Sequence, residues 1–515
     1  MDDVTTQVKR DCEMVESEAS INQDVINSSF WVFLGRILTR LLGFLRIIII
    51  ARLITPDEFG LFGIVSLTMS ALETISQVGL DQALIQRDGD IRPFFDTAWT
   101  VKVLRGLGLF SFIVLISPLV ARFFSESEVV SLLILFGLSL VFKGFTNIGV
   151  VSFRKELDFR KQFVLNFTSV LFGVLISLIL AFIFQDALAL VGGVVGEALA
   201  LLVVSYLMHP YRPRFRWHKK SFQELFQFGK WITGSSFLVF SLTEGDDLIA
   251  GKLLGTTSLG YYQMAYRVSN LPATELMRVV NQVMFPAFSK IKNSLDRLQK
   301  TFLKSFSLTA ALTMFISGLI IALAKEFTVV FLGLKWLDIV IPMQVLAVWG
   351  AIRALGGSTS PVFLAIGKPK LITYFQAVML VVMALTIFPL TNRYGILGTS
   401  WAVVLSNLLV HWLRYPLIAR YTKIKIWKIA KVILLPLFSS AIMTLILFFF
   451  KWNFAYFSSP SIFSLLILGL IGSLIYLATL FLYQCLTDYD ILDLIINIIL
   501  VFSRKQNLQG LLTGE

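Results

Sequence analysis

The sequence predicts an all-α polytopic membrane protein with fourteen transmembrane helices, arranged as two six-helix lobes and two further C-terminal helices. Hydrophobic residues make up 56% of the 515 residues and charged residues 15%, with a mean hydropathy of +0.79. Soluble domains are only about 45–50% apolar. Apolar runs of about 20 residues, the length that crosses about 30 Å of hydrocarbon, recur along the chain. We therefore expect the chain to reside in a lipid bilayer.

The apolar runs define the predicted lobes in chain order. The first lobe, 29–208, contains predicted helices at 29–53, 60–84, 97–120, 129–151, 163–184 and 187–208. The second lobe, 230–416, contains them at 230–253, 260–285, 302–323, 338–364, 371–390 and 395–416, and region 417–483 adds 429–450 and 461–483. The remaining segments are an N-terminal tail at 1–28, a basic linker at 209–229 and a C-terminal tail at 484–515. The N-terminal tail lacks the basic start and short apolar run of a cleavable signal peptide.

Lysine and arginine are distributed unequally between the two sides of the predicted helices. With the N-terminus inside, the inner segments carry 26 of these residues and the outer loops carry 5. Cytoplasmic loops of membrane proteins show this excess, so we expect both tails and the linker to be cytoplasmic. The same pattern accounts for the net charge of +13 without a nucleic-acid partner. The outer loops are too short to form a catalytic domain outside the membrane.

A weak internal repeat relates the two lobes. Residues 52–62 (RLITPDEFGLF) resemble residues 252–262 (KLLGTTSLGYY), at a spacing of 200. The sixth predicted helix resembles the twelfth at a spacing of 206, for example through Gly192 and Gly398. Because each unit has six helices, both units begin on the same side of the membrane. The sequence therefore predicts a parallel repeat, an architecture that is common in secondary transporters.

Arginines within the predicted helices are the strongest functional signal. A charged side chain at the bilayer centre costs about 2.5–3.5 kcal/mol on insertion scales, so it needs a partner or a function. Arg36 and Arg40 lie on one face of the first helix, with Arg46 about a third of a turn away. Arg353 lies deep in the tenth helix. Other basic residues near helix ends, such as Arg414, are expected to extend toward the head groups.

The eighth predicted helix carries a polar stripe. Its members follow one another at intervals of three or four residues and are Arg267, Asn270, Thr274, Arg278 and Asn281. This stripe must face protein or water. Pro272 is expected to interrupt the helix, which is tolerated where a helix lines a cavity.

Acidic residues are fewer within the predicted helices. Glu73 lies in the second helix, and Glu244, Asp246 and Asp247 lie in the seventh. These carboxylates are candidates for coupling to a proton or sodium ion or for balancing the arginine charges, and we favour charge balance. The interior remains cationic overall. A cationic cavity in low dielectric selects an anion, such as a phosphate or diphosphate bound by arginine forks.

Neither a catalytic site nor a cofactor site emerges from the sequence. The three histidines, His209, His218 and His411, are scattered, so we expect no metal centre. A glycine loop of the Walker type, followed by Lys-Ser or Lys-Thr, is absent, so ATP is not expected to drive the chain directly. We expect no cofactor, with coupling to H⁺ or Na⁺ left open.

Residues 33–87 carry a family resemblance. The run LGRILTRLLGFLRIIIIARLITPDEFGLFGIV and the later GLDQALIQR resemble the opening of bacterial polysaccharide flippases of the Wzx type, in the WzxC/TuaB-like branch of the MOP exporter superfamily. The resemblance extends over essentially the whole membrane region. It implies a MATE-like fold in the bacterial cytoplasmic membrane that moves undecaprenyl-diphosphate-linked oligosaccharides from the inner to the outer leaflet.

Two motifs are similar to those of the related lipid II flippases. The first is Thr39-Arg40, then Leu42-Gly43-Phe44 and Arg46; the second is Ala265, Arg267, Leu271 and Pro272. The resemblance implies that Arg40, Arg46 and Arg267 line the substrate cavity. The second helix has no counterpart of the relatives' cavity arginine, which favours a glycan other than lipid II.

The sequence thus predicts a secondary transporter that exports lipid-linked repeat units for exopolysaccharide, capsule or O-antigen synthesis. Its expected partners are the lipid-linked glycan, membrane lipids, and polysaccharide polymerase and export proteins. The alternatives are a lipid II flippase and a MATE-type cation-coupled drug antiporter, although the latter requires an acidic cavity. A membrane glycan polymerase is disfavoured because the outer loops are short. The glycan and the energy source stay open.

Overall fold

The computed structural model describes residues 31–76, 79–87, 89–454, 457 and 459–486, and every regular element in this part of the chain is helical. The predicted N-terminal tail and the chain beyond residue 486 lie outside it. The first helices are α1 (31–53), α2 (Pro56–Ile75), α3 (Leu80–Gln86), α4 (Arg92–Phe124), α5 (Val129–Phe145), α6 (Val151–Lys155), α7 (Phe159–Ile183) and α8 (Leu188–Met208). They are followed by α9 (Lys219–Ile291), α10 (Leu295–Phe327), α11 (Val340–Ala365), α12 (Pro369–Thr422), α13 (Ile426–Asn453) and α14 (Ile462–Leu486).

Within the described residues, nine helical segments are long and apolar enough to cross a bilayer, or ten if α5 and the bent segment after it form one span. Large apolar side chains such as Leu115, Leu385 and Leu470 lie exposed on these helices, with exposures of 74%, 72% and 66%. Apolar surface of this extent suits hydrocarbon and not water. The all-helical, multi-pass membrane fold is therefore confirmed. The number fourteen and the arrangement of the lobes remain predictions.

Two of the long helices each contain a break at a glycine. The backbone of α9 departs from helical geometry at Gly255, with a φ of 81°, and that of α12 departs at Gly395, with a φ of 59°. Positive φ angles are readily adopted only by glycine. Gly255 lies between the predicted helices 230–253 and 260–285, and Gly395 is the first residue of the predicted helix 395–416. In α9 and in α12, two predicted helices are therefore joined without a separate loop.

Three expectations for helix continuity are wrong. The predicted helix 60–84 ends at Ile75, where the Ser76 N–H bonds back to Leu72 O at 3.0 Å, and α3 begins after Gly79, which has a φ of 63°. The predicted helix 129–151 bends by 71° after Phe145. Conversely, Pro272 does not interrupt α9.

Near Pro272, α9 packs closely against α11. The hydroxyl of Ser269, three residues before Pro272, donates to Met343 O at 2.8 Å. Gly350 on α11 has no side chain, and a Cβ there would lie 3.3 Å from Ser269 O. Contacts with α11 therefore lie beside the turn in which proline lacks a backbone donor.

The described chain divides into two compact units, with the boundary between Thr243 and Glu244 inside α9. Unit 1 extends up to Thr243, and unit 2 begins at Glu244. In unit 1, glycines allow the helix backbones to approach closely. A Cβ on Gly106 of α4 would lie 2.6 Å from Leu140 O, and one on Gly144 of α5 would lie 2.9 Å from Lys102 O. This contact places the charged residues of α4 beside those of α5.

Asn147, which follows α5 and is fully buried, holds one end of unit 1 together through hydrogen bonds. Its Nδ2 donates to His209 O at 3.3 Å and to Tyr211 O at 2.7 Å, and its Oδ1 accepts from Gly149 N at 2.9 Å. Its backbone N–H donates to Ser205 Oγ on α8 at 3.0 Å. Asn147 thus joins the end of α5 to the chain that leaves α8.

The segment after α8 is extended and lies along the start of α4. The Tyr211 hydroxyl donates to Asp96 Oδ1 at 2.7 Å, and the Arg214 N–H donates to the same oxygen at 2.9 Å. The ring of His209 packs on Gly149, and its Nδ1 accepts from Tyr211 N at 3.2 Å. Burial lowers the pKa of His209, so its ring is held in the neutral form that this hydrogen bond requires.

In unit 2, α10 is the central helix. Its Ser317 donates to Ala347 O of α11 at 2.8 Å. The two C-terminal helices also pack on it: Ser440 of α13 donates to Met314 O, and Tyr476 of α14 donates to Ala311 O, each at 2.7 Å. The additional helices predicted after the second lobe are therefore joined to unit 2 through α10.

Candidate functional site

The arginines of α1 differ in exposure. Arg40 is exposed, whereas Arg36 and Arg46 are half-buried. Within the described residues, Arg46 Nε is buried without a hydrogen-bond partner, and the guanidinium interacts electrostatically with Glu197 of α8. The Nε–H of Arg46 is therefore available to donate a hydrogen bond inside unit 1.

Thr39, which precedes Arg40 in the first motif, bonds to its own helix. Its hydroxyl donates to Gly35 O at 2.7 Å. A hydroxyl that back-bonds in this way keeps its polar group satisfied in an apolar environment. The Thr39 hydroxyl therefore makes its hydrogen bond within its own helix, next to the arginines.

The polar stripe of α9 lies in unit 2, and part of it meets α11. Arg353 of α11 donates through Nη2 to Thr274 Oγ1 at 3.0 Å, and its guanidinium lies 5.0 Å from the centre of the Trp349 ring. Arg278 forms an ion pair with Glu275 one turn earlier, at 3.1 Å. Arg267 is exposed. The structure thus joins Arg353 to the stripe.

The side-chain amides of the stripe do not all have hydrogen-bond partners for their oxygen atoms among the described residues. Asn270 is only 7% exposed. In the described part of the chain, the Oδ1 atoms of Asn270 and Asn281 are buried without a hydrogen-bond partner. Buried polar atoms usually find a partner, so these positions can accept one from a bound water or ligand.

The acidic residues of unit 2 lie near Arg267. Asp246 is 2% exposed and accepts a hydrogen bond from the Tyr262 hydroxyl. Arg267 interacts electrostatically with Glu244 and Asp247. A cation next to two carboxylates reduces the net charge of this region. Charge balance and ion coupling both remain predictions for these residues.

Glu73 lies in unit 1 and pairs with a residue that the motifs did not include. Its carboxylate is 2.8 Å from Lys143 Nζ of α5. Both residues line a cavity in unit 1 of about 310 Å³, together with Lys102 and Arg105 of α4 and Arg154 of α6. The sequence contains no signal that would bring α2, α4 and α5 together at one cavity.

Arg414 differs from its expected position. Its guanidinium does not extend from a helix end but lies 4.8 Å from the centre of the Phe375 ring. It also packs against Gly356, which has no side chain. Its Nε is buried without a hydrogen-bond partner among the described residues. The ring face and the missing side chain of Gly356 provide the space and the cation–π contact that hold it inside.

A family model described as "Polysaccharide biosynthesis protein" matches residues 49–341. The lipopolysaccharide biosynthesis protein WzxC of Escherichia coli (strain K12) is 25% identical over 349 residues, covering 67% of this chain and 71% of the relative. The teichuronic acid biosynthesis protein TuaB of Bacillus subtilis (strain 168) is 24% identical over 467 residues, covering 89% of this chain and 95% of the relative.

Two groups of solved structures share the fold. The lipid II flippase MurJ in an inward closed conformation matches with a TM-score of 0.67 and 16% identity, over 90% of this chain and 99% of that chain. A multidrug resistance MATE family transporter in an inward-facing conformation matches with a TM-score of 0.56 and 16% identity, over 75% of this chain and 96% of that chain. These matches confirm the expected fold and carry no information about substrate.

Proposed function

This chain belongs to the polysaccharide biosynthesis protein family, and we propose that it is a flippase for undecaprenyl-diphosphate-linked oligosaccharides. The observation that carries the proposal is the match to the family together with relatives that are named for lipopolysaccharide and teichuronic acid synthesis. Such polymers are assembled from sugar units that must cross a membrane. The multi-pass membrane fold suits a protein that moves such units across the bilayer.

In the proposed mechanism, arginines in the membrane bind the diphosphate. Arg40, Arg46 and Arg267 are the principal candidates, and Arg36, Arg278 and Arg353 are secondary ones. Arginine suits this role because its planar guanidinium stays charged and can donate two parallel hydrogen bonds to a phosphate. The buried Nε of Arg46 is an example of a donor that a bound phosphate oxygen could satisfy. The isoprenoid tail stays in lipid while the head group crosses.

Alternating access would move the head group. In MATE-like and similar transporters, repeats rock or gate around a site near the bilayer midplane. We place both termini in the cytoplasm because of the excess of basic residues in the inner segments. Polysaccharide polymerase and export proteins would receive the product on the outer side.

The test is translocation of a fluorescent undecaprenyl-diphosphate oligosaccharide in proteoliposomes. We expect Arg40→Ala, Arg46→Ala and Arg267→Ala to reduce the initial rate by roughly tenfold or more, since each removes charge-assisted hydrogen bonds worth about 1.5–3 kcal/mol. Arg122→Ala is the control, because Arg122 is exposed in the last turn of α4. It should transport at the wild-type rate.

The same assay separates the alternatives. A wild-type protein that moves lipid II as efficiently as other lipid-linked glycans would be a lipid II flippase. One that moves no glycolipid but exports organic cations would be a drug antiporter, and the arginines would then be structural. Protein levels and thermal stability are matched across the variants, so that a loss of rate is not a loss of folded protein.

A further inference from the structure

We propose that unit 1 contains a second anion site, the unit-1 cavity, which binds a phosphate or diphosphate group in addition to the arginines named in the proposed mechanism. The unit-1 cavity is the space of about 310 Å³ lined by Glu73, Asp81, Lys102, Arg105, Lys143 and Arg154. The identity of its ligand rests on the proposed function. The existence of an anion site does not, because it follows from the charges of the cavity itself.

The cavity is separate from the arginines that the motifs indicate. Its lining includes none of Arg36, Arg40 and Arg46 of the same unit. Its volume lies at the lower end of the range of about 300–1,000 Å³ that small-molecule sites occupy. It is therefore large enough for a phosphate group or a diphosphate, but not for a long isoprenoid tail.

The charge of the cavity is positive. Four basic side chains and two acidic side chains line it, which leaves a net charge of +2. Each acid is paired with a lysine: Lys102 Nζ lies 3.4 Å from Asp81 Oδ1, and Lys143 Nζ lies 2.8 Å from Glu73 Oε1. The excess charge therefore comes from Arg105 and Arg154. Such an excess favours an anion.

The charged groups of the cavity are also not enclosed by the protein. The side chains of Lys143 and Glu73 are 43% and 38% exposed, and that of Asp81 is 39% exposed. Ion pairs with this exposure contribute little to stability. A purely structural explanation for six charged groups at one place is thus weak, whereas an entering anion can reach them.

Arg105 is already oriented for binding. Its Nε and Nη2 donate to Ser76 Oγ at 3.2 and 2.8 Å, and Nη2 also donates to Glu73 O at 3.2 Å. Ser76 in turn donates to Leu72 O at 2.6 Å, so the hydroxyl that holds the guanidinium is itself fixed. A side chain that is ordered before binding loses less entropy when the ligand arrives.

The close packing of α4 on α5 determines the geometry. Lys102 and Arg105 lie one turn apart on α4, and Lys143 lies on α5 next to Gly144, whose missing side chain lets the helices approach. Arg105 and the two lysines therefore line one space. Because Nε and Nη2 of Arg105 already donate to Ser76 and Glu73, a phosphate oxygen would bind through Nη1, and a lysine can bind another as a point charge.

The experiment is isothermal titration calorimetry, in which inorganic diphosphate is titrated into full-length protein in nanodiscs of zwitterionic lipid. A parallel experiment tests undecaprenyl diphosphate that is incorporated in the nanodisc. Arg105→Gln should weaken binding about tenfold, the loss of one charge-assisted contact. Glu73→Gln should strengthen binding several-fold because it removes a negative charge. Asp81→Asn is a second acidic variant with the same expected direction.

Arg122→Gln is the matched control, since it removes a positive charge from the other end of the same helix, and it should bind like wild type. The opposite responses of Arg105→Gln and Glu73→Gln distinguish an anion site from a structural ion-pair network, which would lose stability in both cases. Binding of free diphosphate supports a site for the soluble anion, and binding of the polyprenyl form alone supports a lipid head group. Wild-type protein that binds neither, or acidic variants that bind no more tightly, overturns the proposal.

These outcomes are distinguishable from failure of the proposed function. If wild type translocates the lipid-linked glycan but Arg105→Gln binds and transports normally, the flippase stands and the unit-1 cavity is not a site. If wild type translocates no glycolipid, the flippase proposal fails, and the diphosphate titration still decides whether the cavity binds anions.

Discussion

Asn147 shows how one polar residue can fix the end of a membrane helix. It is fully buried, and all of its side-chain hydrogen bonds go to backbone groups: His209 O, Tyr211 O and Gly149 N. Two of these bonds use the amide as a donor, which a carboxylate cannot do. The amide is therefore specifically required at this position.

We predict that Asn147→Asp lowers the stability of the protein by about 2–4 kcal/mol. The substitution keeps the shape and the acceptor toward Gly149 N, but it turns a carboxylate oxygen toward the carbonyls of His209 and Tyr211. These carbonyls then keep only the donor Arg212 Nη1, at 2.7 and 3.0 Å. Removing one partner of a buried hydrogen bond costs about 1–3 kcal/mol. The measurement is the midpoint of thermal unfolding in detergent. Asn147→Ala should show a loss of similar size.

The matched control is Asn453→Asp. Asn453 is exposed at the end of α13 and donates to Phe449 O of its own helix at 2.9 Å. Surface substitutions usually change stability by less than about 0.5 kcal/mol. Equal melting points for Asn147→Asp and wild type would show that the amide does not hold this end of unit 1.

At the same scale, the sequence indicated individual charged residues but not their partners. The cost of burying arginine pointed to Arg46 and Arg353 from the sequence alone. The sequence did not predict the contact of Arg353 with Thr274 or that of Glu73 with Lys143, because the two residues of each pair lie 79 and 70 positions apart in the chain. Such pairs depend on tertiary packing, which helical periodicity does not specify.

Among the helical elements, the break in α9 carries the strongest link to the predicted repeat. Gly255 lies 200 residues after Thr55, the residue between α1 and α2. Each position lies three residues after a basic residue, Arg52 or Lys252, and separates two predicted transmembrane helices. The break in α9 thus lies 200 residues after the α1–α2 connection, which is the spacing of the predicted repeat. The arrangement of the lobes remains a prediction.

We predict that Gly255→Ala destabilises the protein by about 1–3 kcal/mol. The φ of 81° and ψ of −180° lie in a region that is essentially restricted to glycine. A Cβ added at this position would meet no atom within 4 Å, so the cost comes from backbone strain and not from a clash. The midpoint of thermal unfolding in detergent measures it.

Gly469→Ala is the control for Gly255→Ala. Gly469 lies inside α14, and a Cβ there also meets no atom within 4 Å, but its backbone is helical. Alanine in a helix interior is favoured over glycine by about 1 kcal/mol, so this variant should be unchanged or more stable. A Gly255→Ala variant as stable as Gly469→Ala would rule out strain at the break.

The element boundaries show what hydrophobicity can and cannot predict. The sequence predicts one continuous helix over 60–84, because the composition of this run stays apolar. The structure ends α2 at Ile75, where Ser76 caps the helix and Gly79 adopts a positive φ. Apolar length predicts that a segment is helical, but local capping and glycine conformation determine where the helix stops.

For the whole molecule, the main open property of the proposed flippase is its energy source. The substrate is anionic, and an inside-negative potential favours movement of negative charge from the inner to the outer side. The effect is about 2.3 kcal/mol per charge per 100 mV. No coupling ion is then required for net export, and H⁺ or Na⁺ coupling through the acidic residues of unit 2 stays a separate prediction.

We predict that a potassium diffusion potential of about 100 mV, negative on the side from which the glycolipid is loaded, increases net translocation, and that reversing its sign decreases it. The assay uses proteoliposomes with equal pH and no sodium gradient, so the potential is the only driving force. If transport instead follows an imposed pH or sodium gradient and ignores the potential, an ion is coupled to the substrate. Glu244→Gln and Asp247→Asn would then be the first variants to test, because loss of a carboxylate that carries the coupling ion would abolish the gradient dependence, whereas loss of one that only balances Arg267 would leave it unchanged.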